Sequence, residues 1–150
     1  MAAREPALPN PDFVETTKRF LMQMPIARHF GFAVTDVGLG RFEITQPFRE
    51  ELSFSRGIFQ AGPVGTLADM AAACAGVTML PRGWGASTAD YTIKLLAPAA
   101  GEKLVARGRV VRPGRTLSVA AADVYAVRDG KETLCATALA TIRNFEIAGS

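Results

Sequence analysis

A chain of 150 residues with 49% hydrophobic content is long enough to bury one good core and too short for two domains of ordinary size. Its 17 basic and 14 acidic side chains leave a net charge of +3, spread along the chain rather than gathered in a tract, so nucleic acid is not an implied partner. No apolar run approaches the ~18 residues of a membrane span, and the start, Met1-Ala2-Ala3-Arg4-Glu5-Pro6, lacks a secretory apolar segment. A soluble, cytoplasmic protein with no membrane partner is expected. Cys74 and Cys135 lie far apart, with no CxxC and no nearby histidine pair. They read as packed, reduced thiols rather than as a metal or redox site.

Taken in chain order, residues 1–11, with Pro6, Pro9 and Pro11, read as a flexible lead-in to a single domain over 12–150. Asp12 can cap a helix from Phe13 to about Met24, where Pro25 interrupts it. Residues 32–37 and 41–48 alternate apolar and polar side chains around Gly38-Leu39-Gly40, as a hairpin does. Gly57 to Pro63 then leads into an alanine-rich helix from Val64 to about Met79, with Pro63 at the first helical position. Pro81, Gly83 and Gly85 end it, and strands are expected at 86–96, 103–112, 115–127 and 132–143. Arg112-Pro113-Gly114-Arg115 suits a type II turn, and Arg128-Asp129-Gly130-Lys131 is a strong hairpin signal. Strands grouped in this way predict an α+β layout: an antiparallel sheet of about six strands wrapped around one long central helix, with a short N-terminal helix.

Two patterns carry more information. In the strand 115–127, Leu117, Val119, Ala121, Tyr125 and Val127 share one face and Ser118, Ala120, Ala122, Val124 and Ala126 the other. One helix can cover only one of two apolar faces, so self-association is expected. On the long helix, Val64, Leu67, Ala68, Ala71, Ala75 and Met79 form a core stripe, and Asp69 stands outside it among Gly65, Ala72, Ala73 and Gly76. Such small neighbours leave room for a partner backbone or a slender ligand. Periodicity alone leaves two readings open: a solvated acid on an outer face, or a carboxylate working near the amides and positive dipole end of a helix.

Gln60-Ala61-Gly62 followed by Thr66-Leu67-Ala68-Asp69, then Thr88-Ala89-Asp90-Tyr91-Thr92-Ile93-Lys94-Leu95-Leu96-Ala97-Pro98-Ala99, then Gly114-Arg115-Thr116-Leu117, resembles the hot-dog thioesterases, and within them the phenylacetate-pathway (PaaI-like) branch. The resemblance spans roughly residues 27–143. It implies a hot-dog fold, hydrolysis of acyl thioesters, usually of coenzyme A, no cofactor besides that substrate, and a homodimer or dimer of dimers with its site shared across subunits. Carried onto this chain, it makes Asp69 the general base, or the nucleophile itself. The amides of Ala61 and Gly62 become oxyanion donors, and Thr88, with Ser87 as a second candidate, positions the attacking water. Two residues depart from the family pattern: Gln60 replaces its histidine, and Phe54 an asparagine. Gln60 can still donate a hydrogen bond to the carbonyl, whereas the loss at Phe54 has no obvious substitute and reads as a more apolar acyl pocket, a slower enzyme, or a binding protein that has kept the fold.

Arg107 and Arg109 on one strand face, and Arg112 and Arg115 at a turn, could hold coenzyme A phosphates or simply be solvated. Lys94 and Arg82 are similar candidates. Trp84 and Tyr91 could line an acyl or pantetheine channel or pack as ordinary aromatics. His29, the sole histidine, precedes the first strand, so the carboxylate–histidine pair of a hot-dog dehydratase is not expected. A non-catalytic acyl-thioester binding protein of the same shape competes with the thioesterase reading. Phe54 and Gln60 favour the former, and Asp69 among glycines the latter.

Overall fold

The protein is described by a computed structural model covering residues 9–148; residues 1–8, which include most of the expected lead-in, and 149–150 lie outside the described residues. In chain order the elements are α1 (Phe13–Met22), α2 (Pro25–Phe30), β1 (Ala33–Gly38), β2 (Arg41–Pro47), β3 (Ser53–Ser55), β4 (Ile58–Phe59), α3 (Ala61–Val77), β5 (Trp84–Leu95), β6 (Lys103–Arg112), β7 (Leu117–Arg128) and β8 (Lys131–Glu146). Six strands form one antiparallel sheet in the order β1-β2-β6-β7-β8-β5, and β3 and β4 pair separately. The expected α+β layout, with α3 as its central helix, is the one observed. Among the described residues no helix is long and apolar enough to cross a membrane.

Small side chains set the spacing between α3 and the sheet. Ala68, Ala71, Ala72 and Ala75 on the helix meet Ala106, Ala120, Ala122, Ala138 and Ala140 on the strands, all buried. At Gly108 the backbones touch: a β-carbon there would lie 2.0 Å from the Ala71 carbonyl oxygen. Phe42, Ile44, Leu67, Leu104, Val124 and Ile142 complete the core around this alanine contact. Close packing of this kind leaves α3 little freedom to shift along or away from the sheet.

The structure amends several expectations. α3 begins at Ala61, capped by Gln60, and Pro63 is its third residue; an amide there would still have no acceptor within the helix, so proline fits. Asp12 precedes α1 but makes no capping bond; its carboxylate accepts from Arg82 at 2.6 Å. Nor is the last part of the lead-in loose: the buried Asn10 donates its amide to the Leu80 carbonyl at 2.8 Å. Pro25 starts the second helix, α2, rather than only ending the first. Gly114 does not have the positive φ that a type II turn requires, and that turn is closed by Ser118 and Asn144 side chains instead. Asp129 and Gly130 both have positive φ, 50° and 74°, which is the hairpin geometry that Asp-Gly signals.

On β7, Ser118, Ala120, Ala122, Val124 and Ala126 are buried on the side that meets α3. The opposite side, read from sequence as apolar, also carries Asp123, bonded to Thr137 and Arg109. It is a mixed surface on which Leu117 and Leu139 stay exposed.

Candidate functional site

Asp69 faces β5, the free edge of the sheet beyond β8. Strand β5 pairs Thr88 with Ile142, then bulges at Ala89, so that Asp90 opposes Thr141 and Tyr91 opposes Ala140. Strict alternation would turn Tyr91 away from the side occupied by Thr88. The extra residue brings Thr88 and Tyr91 to the same side, toward α3. Thr88 donates its hydroxyl to Asp69 Oδ1 at 2.7 Å. The Tyr91 hydroxyl lies 3.4 Å from where a β-carbon at Gly65 would stand, one helical turn before Asp69, with Ile93 beside it. At Gly76 the neighbour is Ile142, 3.7 Å from the same position. The space inferred beside Asp69 is thus filled by this chain's own Tyr91, Ile93 and Ile142.

Asp69 is half-buried. Burial raises its carboxyl above the ordinary 3.8, and the Thr88 hydrogen bond works against that rise. Behind it on α3, burial and then the Asp69 charge push the Cys74 thiol far up, so Cys74 is no thiolate. Cys135 is likewise pushed up to about 11, chiefly by burial, and both cysteines are free and buried.

At the start of α3 the Gln60 side-chain oxygen accepts from the Gly62 amide. Gln60 therefore acts here as a helix cap, with its NH2 group left over as a donor. The Gly62 amide, expected to face substrate, is occupied. Ala61, the first helical residue, has an amide without an acceptor inside the helix. Phe54, on β3, is 76% exposed and belongs to the hairpin that runs directly into Gln60.

The four arginines separate into two groups. Arg107 and Arg109 pair with Asp123 and Ala121 in register, on the side of the sheet away from α3. Arg107 donates to Glu43 at 2.7 Å and in a two-pronged bond to Glu132 at 2.7 and 2.8 Å; Arg109 pairs with Asp123 at 3.1 Å. Neither is brought to Asp69. Arg112 and Arg115 are exposed at the β6–β7 turn and have no ion pair among the described residues. Register rows Thr88–Ile142–Ser118 and Ser87–Arg143–Leu117 put that turn two strands, about 10 Å, from Thr88 and Ser87. Ser87 points outward beside Arg143, an exposed cation that the sequence reading did not single out; only the strand register reveals the pairing. His29 is exposed on α2, its carbonyl accepting from Arg49. Lys94 is exposed on β5, Arg82 holds Asp12, and Trp84 opens β5 partly buried. A surface groove between α1 and β1, lined by Val14, Lys18, Val34 and Asp36, lies at the opposite sheet edge from Asp69.

Residues 61–133 match the family model of the thioesterase superfamily. A thioesterase family protein from Silicibacter pomeroyi superposes with a TM-score of 0.87 at 31% identity, covering 89% of this chain and 98% of that one. A phenylacetic acid degradation-related protein from Ralstonia eutropha JMP134 does so at 0.72 and 27% identity, covering 85% and 98%. The PaaI protein of the Escherichia coli phenylacetic acid degradation operon, at 20% identity, shares the fold with a TM-score of 0.76 over 92% and 95%. No curated protein matches the chain in sequence. The chain belongs to the thioesterase superfamily, enzymes that hydrolyse thioesters.

Proposed function

We propose that this protein hydrolyses acyl-CoA thioesters to free acid and coenzyme A, with Asp69 as general base. The observation that carries this reading is the Asp69–Thr88 pair: a half-buried carboxylate with a raised pKa, held at 2.7 Å by a hydroxyl, facing an open sheet edge. Asp69 takes a proton from a water held near Thr88, and the water oxygen bonds to the thioester carbon. Backbone amide at Ala61 stabilises the oxyanion, the C–S bond breaks, and the thiolate leaves to be protonated. With Gly62 capped, the remaining donors are Ala61 and the Gln60 NH2 group.

Asp69 lies eight helical steps beyond Ala61, about 12 Å along the axis, which is long for one carbonyl to touch both. Self-association as a homodimer or dimer of dimers removes the difficulty, because a second copy can bring its own helix start to this Asp69. Leu95 and Leu96 on or beside the free β5 edge, and Phe54 near the helix start, are exposed apolar groups suited to such a boundary. Light scattering at micromolar concentration should give two or four chain masses; a single-chain mass would overturn the shared site.

Arg112 and Arg115, uncommitted and near the site, suit the coenzyme A phosphates better than the paired Arg107 and Arg109. The direct experiment is thiol release from short, long and aromatic acyl-CoAs and from the matching acyl-pantetheines. Turnover of at least one acyl-CoA is expected. The Arg112→Ala, Arg115→Ala double variant should raise KM for acyl-CoA about tenfold and leave acyl-pantetheine unchanged. A second reading, binding without turnover, is favoured by the Gln60 cap on Gly62, and measurable ligand affinity with no thiol release would establish it.

A further inference from the structure

The surroundings of Asp69 restrict which acyl groups fit. Toward the end of α3, Ala72 and Ala73 are buried and Ile142 closes on Gly76, so no acyl chain passes that way. Toward the start of α3, the next turn is Gly65, which offers no side chain. The group standing over it is Tyr91, brought to this side of β5 by the bulge at Ala89. Its ring fills the gap that Gly65 leaves. Yet Tyr91 is 42% exposed, and its hydroxyl makes no hydrogen bond among the described residues. A tyrosine seated against a helix turn, without a polar partner among the described residues and open to solvent on one side, is not part of the closed core.

We infer that Tyr91 is the specificity-determining residue that limits the size of the acyl group, by occupying the direction along α3 that leads away from Asp69 over Gly65. This rests on the thioesterase reading. The Ala89 bulge is what makes it possible, since regular pairing would present Asp90 in that place and turn the ring outward. A wild-type enzyme of this kind favours short or slender acyl groups.

The test measures kcat and KM for a series of acyl-CoAs of increasing length and branching, for wild type, Tyr91→Phe and Tyr91→Ala. Tyr91→Ala should raise the ratio of kcat/KM for bulky over short acyl groups by at least about tenfold, the scale on which a pocket discriminates by one or two methylenes. Tyr91→Phe keeps the ring and should keep the wild-type ratio. An unchanged ratio in Tyr91→Ala, with Asp69→Asn still abolishing turnover, overturns the selector and spares the thioesterase. If wild type hydrolyses nothing, the parent reading fails. The selector is then decided by the affinities of non-hydrolysable S-alkyl coenzyme A thioethers of the same lengths: a length profile relaxed in Tyr91→Ala supports it, and an identical profile, or no binding, overturns it.

Discussion

Asp69→Asn lowers kcat at least ~100-fold, the scale expected when a positioned general base is removed, and at neutral pH it makes the protein more stable. The two effects have one cause. Burial raises the Asp69 carboxyl above 3.8, so the folded state binds its proton more tightly than the unfolded chain does. Above the raised value the ionised carboxylate therefore subtracts from stability, and that penalty fades as pH falls through it. Asparagine carries no charge and can still accept from Thr88, so the melting temperature should rise at pH 7 and the gain should vanish near pH 3. The same titration shapes the rate. A base must be ionised, so kcat/KM falls on the acid side with a midpoint above the ordinary carboxylate value. Thr88→Val removes the hydrogen bond that opposes the rise, and the acid limb should move to higher pH. A limb that stays in place or moves down would show that the 2.7 Å contact does not hold the carboxylate in the working enzyme. An Asp69→Asn variant with near-normal turnover would remove Asp69 from the mechanism altogether.

How far the sequence foretold this depended on how local the signal was. The central helix, the hairpins and the sheet follow from periodicity and turn residues, each read within a dozen positions. The two-stranded β3–β4 hairpin and α2 were not legible, because Ser53–Ser55, Ile58–Phe59 and Pro25–Phe30 are too short to show a period. At the site, Asp69 stood out by its small neighbours, but the reason for them was misread: Gly65 makes room for Tyr91 and Gly76 for Ile142. The Gly65–Tyr91 contact depends on the Ala89 bulge, and one added residue leaves no readable mark on the mixed polar–apolar run of β5. The partners of Arg107 and Arg109 were hidden for a related reason. Arg107 and Arg109 share a face in sequence, as expected, but which face, and that Glu43, Glu132 and Asp123 already hold them there, are facts of register between distant strands.

Gly108→Ala should cost about 3 kcal/mol or more, beyond the 1–3 kcal/mol typical of overpacked cores, against total stabilities of roughly 5–15 kcal/mol. The added carbon would lie 2.0 Å from the Ala71 oxygen, 2.4 Å from its carbon and 2.9 Å from the Ala72 nitrogen. All three are backbone atoms in the middle of α3, so no flexible side-chain end can swing aside. The facing surfaces are alanine, which has no rotamer to change. Relief requires the helix to withdraw from the sheet by more than 1 Å, opening gaps along the whole Ala68–Ala75 contact. Withdrawal also separates Asp69 from Thr88, so kcat in whatever remains folded should fall together with the denaturation midpoint. Gly76→Ala is the internal control. Its new carbon meets Ile142 at an ordinary 3.7 Å, and exchanging glycine for alanine within a helix should add about 0.5–1 kcal/mol of stability. Equilibrium urea unfolding of both variants separates the cases. If Gly108→Ala loses less than about 1 kcal/mol, α3 is not pinned to the sheet at this point, and the fixed spacing between Asp69 and β5 on which the proposed chemistry depends has no structural basis.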